Sequence, residues 1–301
     1  MKDNELEYLL GLRKEALRFL KIGIACIVLL PFIGISFMRR IGGTGSLIFL
    51  LQLGGAVFCL IQSAKKGKEY KNYYKQTYIT RLIHDIMPDA EYLPNSGFPS
   101  EMVAKTGMMT MGNIYHSEDY IRGTYNGVFF ERADMCIADE TTDSDGNTST
   151  TTYLKGRWMV FPSNKDFEAD LQIIQKGFSY AKKKKGLFTK KVERRHVIQT
   201  EDEDFNKRFT CLCQNDAEAF YLLTPAMMES LKQMCSDGRG KFMVGFTGNR
   251  IHVAVHTGKD YLEASLFRKP ELEASRREII DELDAVTKFI GALKLERDIF
   301  R

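Results

Sequence analysis

Four consecutive acids, Glu201, Asp202, Glu203 and Asp204, stand directly before Phe205 and Asn206. Clustered carboxylates are what hard divalent cations take as ligands, and a bound cation can activate water for hydrolysis. The run also has a plainer reading as a solvated turn, in which Phe205 and Phe209 anchor the segment in a core and Asn206 bonds local backbone. The plainer reading is favoured, because along a strand alternate side chains face opposite ways. Asp143-Ser-Asp-Gly-Asn-Thr resembles the opening of a calcium loop, but Leu154 occupies position 12, where a bidentate glutamate should close it. It therefore reads as a hairpin tip.

Cys211 and Cys213 share a face if they lie on a strand. A lone C-x-C has no second pair or nearby histidine motif to finish a zinc site, so buried core thiols are the better account. His252 and His256 have the spacing of helical ligands, yet Ile251–His256 alternates like a strand. There is no Gly-rich phosphate loop, no G-x-S-x-G elbow and no recognisable dyad. The sequence assigns no catalytic, metal-ligating or cofactor-binding residue, and it calls for no cofactor. A metal-assisted hydrolase using the acids at 201–204 stands as the alternative to a binding protein.

One further cluster suggests a physical action rather than a reaction. Lys182, Lys183, Lys184, Lys185, Lys190 and Lys191 enclose Leu187 and Phe188. Beside an anionic bilayer each lysine contributes on the order of 1 kcal/mol, less at high salt, and the two apolar side chains can enter the interface. The other reading is a solvated loop that blunts a sheet edge. Both stay open.

These groups need elements to hold them, and the N-terminal third supplies the most legible ones. Ile22–Met38 and Ile41–Ala64 are charge-free apolar runs of 17 and 24 residues. As helices they reach roughly 25 and 36 Å, against a hydrocarbon core of about 30 Å. Neither run has a polar face, and Arg39-Arg40 follows the first where a signal peptide would have a small-residue cleavage site. The expectation is a two-helix transmembrane hairpin, with spans at about 22–38 and 41–62 joined by a loop over 39–45. Small residues such as Gly42, Gly43, Gly54 and Gly55 permit close helix association and a homo-oligomer.

Arg13, Lys14, Arg18 and Lys21 precede the first run and Lys65, Lys66, Lys68, Lys71 and Lys75 follow the second, whereas the connection carries only Arg39 and Arg40. That asymmetry places both termini in the cytoplasm. Six cysteines without a regular framework suit a reducing compartment. The net charge of +4 arises largely beside the spans and leaves no pervasive basic surface for nucleic acid.

After the spans, a juxtamembrane helix over 65–90 is expected. Tyr70, Tyr74, Tyr78, Leu82 and Ile86 recur every fourth residue until Pro88 ends it. These tyrosines serve either as an interfacial belt or as a docking seam. Residues 91–301 read as an α+β domain with mostly antiparallel sheet and flanking helices. A short helix is expected at Ser100–Lys105, an Asn126-Gly127 hairpin, and a second hairpin from Phe129–Asp139 to Thr151–Pro162. A third hairpin is expected around Thr247-Gly248-Asn249, with helices at Pro225–Cys235 and Glu271–Leu293. Thr224 caps the first of these, with Pro225 at its first position.

Several motifs carry a family resemblance. Tyr92-Leu-Pro-Asn-Ser-Gly, Ser117-Glu118-Asp119-Tyr-Ile-Arg-Gly123, Gly127-Val-Phe-Phe-Glu-Arg-Ala-Asp, Glu201-Asp202-Glu-Asp-Phe205-Asn206-Lys-Arg-Phe209 and Tyr221-Leu-Leu-Thr224-Pro225 occur in order between about Tyr70 and Leu293. Together they resemble the family catalogued as domain of unknown function 3137. The resemblance implies a bacterial inner-membrane protein with a cytosolic domain, and it lends no catalytic residues. The expectation is then a two-pass inner (plasma) membrane protein whose cytosolic part binds a membrane or cytosolic protein partner. An accessory subunit of a transport or quality-control complex is a further alternative.

Overall fold

The computed structural model describes residues 3–41, 43–125, 127–178, 195–236 and 240–293. The chain divides into two compact units, each discontinuous in sequence: Met1–Leu82 with Leu262–Arg277, and Ile83–Tyr261 with Glu278–Arg301.

The first unit is built on two long helices, α1 (Asp3–Ile41) and α2 (Gly43–Tyr73). At 39 residues α1 extends about 58 Å, well beyond the apolar run it contains. The expected loop over 39–45 is not formed, because helical backbone persists through Ile41 and resumes at Gly43. Met38, Arg39, Arg40 and Ile41 all tolerate helical backbone, so nothing in the sequence stops the helix before the glycines. The helices pack antiparallel through small residues. Ala16 and Ala56 are buried, and a Cβ on Gly23 would lie 2.9 Å from Leu60 Cδ2, so glycine admits Leu60. Two polar side chains donate across this seam: Gln52 Nε2 to the Cys26 carbonyl at 3.0 Å and Ser63 Oγ to the Ala16 carbonyl at 2.9 Å.

Beyond α2 the helix widens into one π-helical turn, Tyr74–Ile79, and resumes as α3 (Thr80–Ile86). Four residues of α-helix overshoot a full turn by about 40°, so a strict four-residue ladder drifts around the surface. The wider turn offsets that drift. Tyr70, Tyr74, Tyr78 and Leu82 are all buried, with ring centroids 6.3 Å apart for the first tyrosine pair and 5.2 Å for the second. Tyr70 Oη donates to the Ser265 carbonyl and Tyr74 shares a hydrogen bond with Ser275 Oγ, so the ladder packs on residues 262–277 of its own unit. Of the two roles left open for these tyrosines, burial selects the docking seam.

The second unit is α+β. Its sheet contains β1 (Glu91–Leu93), β2 (Ile114–Tyr125), β3 (Val128–Thr142), β4 (Thr148–Phe167), β5 (Gln172–Gln175), β6 (His196–Ile198), β7 (Phe209–Cys213) and β8 (Lys241–His256). The order is β1-β2-β3-β4-β8-β5-β7-β6, with every pairing antiparallel. The β2–β3 hairpin closes at Tyr125↔Val128, with Gly127 at φ +75°, and the β3–β4 hairpin closes at Thr142↔Thr148. Helices lie between and after the strands: α4 (Ser100–Lys105), α5 (Glu203–Arg208), α6 (Asp216–Leu222), α7 (Pro225–Ser236) and α8 (Leu272–Leu293), the last contributing residues to both units. The core gathers Trp158, Val160, Met243, Ala254, Ile137 and Phe98 between the central strands and α4.

The hairpin expected around Thr247-Gly248-Asn249 is absent. β8 runs unbroken, pairing with β5 over Met243–Gly245 and with β4 from Gly248 to His256. Gly248, at φ +56°, bends one strand instead of reversing it. Each half of β8 finds its own neighbour on opposite sides, so neither needs the other as a partner.

Candidate functional site

The surface most unlike that of a water-soluble protein lies on α1 and α2. Val28, Phe32, Leu47, Leu50, Leu51, Phe58 and Ile61 are all exposed, Phe32 by 69% and Leu51 by 68%. The helical stretch Leu47–Ile86 contains a window long and apolar enough to cross a membrane, and only 11% of that window is buried. Water disfavours such exposure by roughly 1.5–3 kcal/mol per large side chain, so the band needs an apolar partner or solvent.

The acids at 201–204 become a helix start. Asp202 caps α5, its Oδ1 accepting from Phe205 N at 2.9 Å, and its other oxygen accepts from Lys232 Nζ of α7 at 2.8 Å. That lysine and the Phe205 amide hold the Asp202 carboxyl below its ordinary range, while Asp202 and Glu229 push Lys232 up to about 12. Asp204 pairs with Arg208, and Asn206 closes on Thr200 through its side-chain amide. Phe205 and Phe209 stack in the core with centroids 4.6 Å apart. Thr224 Oγ1 accepts from Met227 N, capping α7, the helix whose Lys232 pairs with Asp202. Asp202 and Asp204 face lysine, arginine and amide donors rather than one another.

Glu118, Asp119 and Gly123 lie toward the opposite edge, on β2. Asp119 is buried at φ +56°, where the β2–β3 register shifts, and it accepts a hydrogen bond from Tyr92 Oη. Burial first, then the Asp119 charge, raises the Tyr92 phenol far above its usual range. Gly123 allows Ala90 to approach, since a Cβ there would stand 3.2 Å from its Cα. Nearby, buried Arg132 pairs with Asp134, whose other oxygen accepts from Tyr261 N, and Arg157 lies 4.3 Å over the Tyr261 ring. Arg157 also lines a shallow cavity with Phe242, Val255, Phe289 and Lys288.

Asp143 Oδ1 accepts from Asp145 N and Asn147 N, so the calcium-like sequence is a hydrogen-bonded hairpin tip. Cys211 and Cys213 are buried on β7, as read from the sequence, and burial raises Cys211 to about 12. The missing histidine comes from another strand. His196 of β6 stands opposite Cys213, and His196 Nε2 lies 2.5 Å from Asp216 Oδ1, which also accepts from Cys213 Sγ at 3.4 Å. Burial first, and then Asp216, push Cys213 to about 11, so this is no activated nucleophile. Sequence spacing offered only Cys213-Gln-Asn-Asp216; His196 is brought in by strand pairing alone. His252 and His256 both lie on β8, where His252 Nδ1 accepts from Trp158 Nε1 at 3.2 Å. Lys182, Lys183, Lys184, Lys185, Leu187, Phe188, Lys190 and Lys191 lie outside the described residues.

Comparison with known proteins agrees with the motif resemblance. Residues 152–295, from β4 to the end of α8, match the model of a family described as protein of unknown function (DUF3137). That match supports a domain of unknown function over those residues. No curated protein and no solved structure matches the chain.

Proposed function

We propose that this protein is a membrane-anchored binding or scaffold module. In this reading α1 and α2 cross the inner (plasma) membrane as a two-pass hairpin, both termini lie in the cytoplasm, and the α+β unit recruits a protein partner at that face. The observation that carries the reading is the outward-facing apolar band on α1 and α2, which lipid solvates and water does not. Gln52 fits it, because its amide N–H, set among apolar side chains, needs an acceptor and finds the Cys26 carbonyl of the neighbouring helix. Nine basic residues beside the polar ends, against Arg39 and Arg40 at the turn, favour the cytoplasmic placement of the termini. The lysine cluster enclosing Leu187 and Phe188 belongs to the same proposal as a contact with anionic lipid, aided by the tether.

The test has two parts. Membranes holding the full-length chain, washed with alkaline carbonate, should retain it in the pellet; release into the supernatant would end the anchor. Crosslinking in native membranes, read by mass spectrometry, should then recover a stoichiometric protein whose crosslinks fall within residues 83–261. An anchored protein that reproducibly comes alone would end the scaffold reading and turn attention to a membrane-bound enzyme.

A further inference from the structure

We propose that His196, Cys213 and Asp216 form a three-ligand site for zinc or a closely related divalent transition metal at the β6–β7 edge of the sheet. One ligand atom from each residue lies within 4.8 Å of the other two. The three come from separate elements, each placed for a reason. His196 opens β6 and Cys213 ends β7 directly across from it, while Asn215 caps α6 and so fixes Asp216 as the first residue of that helix.

The donor set is chemically selective. Imidazole, thiol and carboxylate together suit zinc, cobalt or copper, whereas calcium and magnesium take oxygen. Metal–ligand bonds of about 2.0–2.3 Å in a tetrahedron separate an oxygen from a sulfur by about 3.5 Å and from a nitrogen by about 3.3 Å. Asp216 Oδ1 already stands 3.4 Å from Cys213 Sγ. Its 2.5 Å approach to His196 Nε2 must open by under about 1 Å. Both side chains are more than half exposed, at 53% and 57%, so that movement meets no packing and breaks only a solvent-screened surface pair. Exposure also leaves the outward coordination position to water, as in zinc sites with three protein ligands.

Metal binding has a defined proton balance. Cys213 gives its S–H proton to solvent as the Sγ–metal bond forms, and the hydrogen bond to Asp216 is replaced by a shared metal. Because the thiol must lose its proton to bind, affinity should rise with pH across the neutral range. Among the described residues Cys213 is also the thiol with an imidazole and a carboxylate both in reach.

The experiment uses the full chain in detergent, freed of metal with a chelator and titrated with Co2+. One equivalent should bind with a sulfur-to-cobalt charge-transfer band in the near ultraviolet, and Zn2+ should displace it. Cys213→Ser should abolish the band. His196→Gln and Asp216→Asn, both at exposed positions and so compatible with folding, should weaken Co2+ binding by at least about tenfold. Cys235→Ser should leave the titration unchanged. Absence of the band in the wild-type chain, or a band indifferent to His196→Gln and Asp216→Asn, would overturn the proposal whether or not Cys213→Ser folds.

Discussion

At the residue scale, two side chains show how one local hydrogen bond decides a chemical role. Asp202 had the sequence of a metal-binding acid, but its Oδ1 is taken by the Phe205 amide and its other oxygen by Lys232. Asp202→Ala removes the cap and should lower stability by about 1 kcal/mol, while Asp202→Asn keeps an accepting oxygen and should cost less. Urea unfolding of both variants checks this; equal losses would mean that the Lys232 pair, not the cap, matters. His252 is the converse case. It is buried, and its Nδ1 accepts from the Trp158 indole, so protonating that nitrogen would set two donors face to face. Desolvation first, with Arg250 second, lowers its pKa from 6.5 to about 4. Below about pH 6.5 the unfolded chain takes up a proton that the folded chain refuses, so stability falls from there toward pH 4, by at most about 3 kcal/mol. The melting temperature should drop through that window, and His252→Gln should flatten the drop; parallel profiles would show that other groups carry it. The Phe205 and Phe209 anchors were legible in the sequence, whereas the Asp202 cap was not, because four consecutive acids read as a solvated turn. The indole partner was not legible either, because Trp158 reaches His252 only through β4–β8 pairing.

At the element scale, local signals were followed where they were self-contained. Ser100–Lys105 forms α4 as its spacing predicts, a turn through Gly127 joins β2 to β3, and Thr224-Pro225 starts α7. The signals failed where an element's fate depends on distant chain. Thr247-Gly248-Asn249 reads as a turn, yet β4 and β5 each offer β8 a side, and two neighbours outweigh a local reversal. The His196–Cys213–Asp216 cluster was illegible for the same reason. The solvent around α2 is tested by a substitution. Leu51 is 68% exposed, so in water Leu51→Lys should change stability by under about 0.5 kcal/mol. In lipid the same change should cost about 2.5–3.5 kcal/mol near the centre of a span. A membrane-integration assay comparing Leu51→Lys with Gln52→Leu checks this: the lysine should reduce insertion strongly and the leucine should not. Equal insertion of Leu51→Lys and wild type would place α2 outside a bilayer.

At the scale of the whole molecule, the helical hairpin is longer than any bilayer needs, and the excess lies at its polar end. α1 begins at Asp3, some nineteen residues before the apolar run, and α2 continues through the π-helical turn to Ile86. That extension carries its own packing: Tyr8 meets Tyr73 edge-on, Arg81 pairs with Glu5, and the tyrosine ladder is covered by residues 262–277. The return of residues 262–277 to the first unit was not readable from the sequence, since nothing in their composition marks them as partners of Tyr70. A bilayer that holds the apolar ends must leave this polar, ion-paired base in water on one side, and Arg39 and Arg40 with the turn on the other. In the proposed two-pass reading, charge bias favours one side over the other for the base. Nine basic residues flank the base, and moving them across would oppose the positive-inside preference. A cysteine placed between α1 and α2 by Gly42→Cys should therefore react with a membrane-impermeant maleimide in intact cells, above the labelling of the parent chain. A cysteine at the exposed position Lys259→Cys should react only after permeabilisation. The opposite pattern would invert the topology and set Cys136 and Cys235, both free and half-buried, in an oxidising compartment. Protection of both positions until permeabilisation would mean that the turn never reaches the far side, and the hairpin would then lie on the membrane rather than through it.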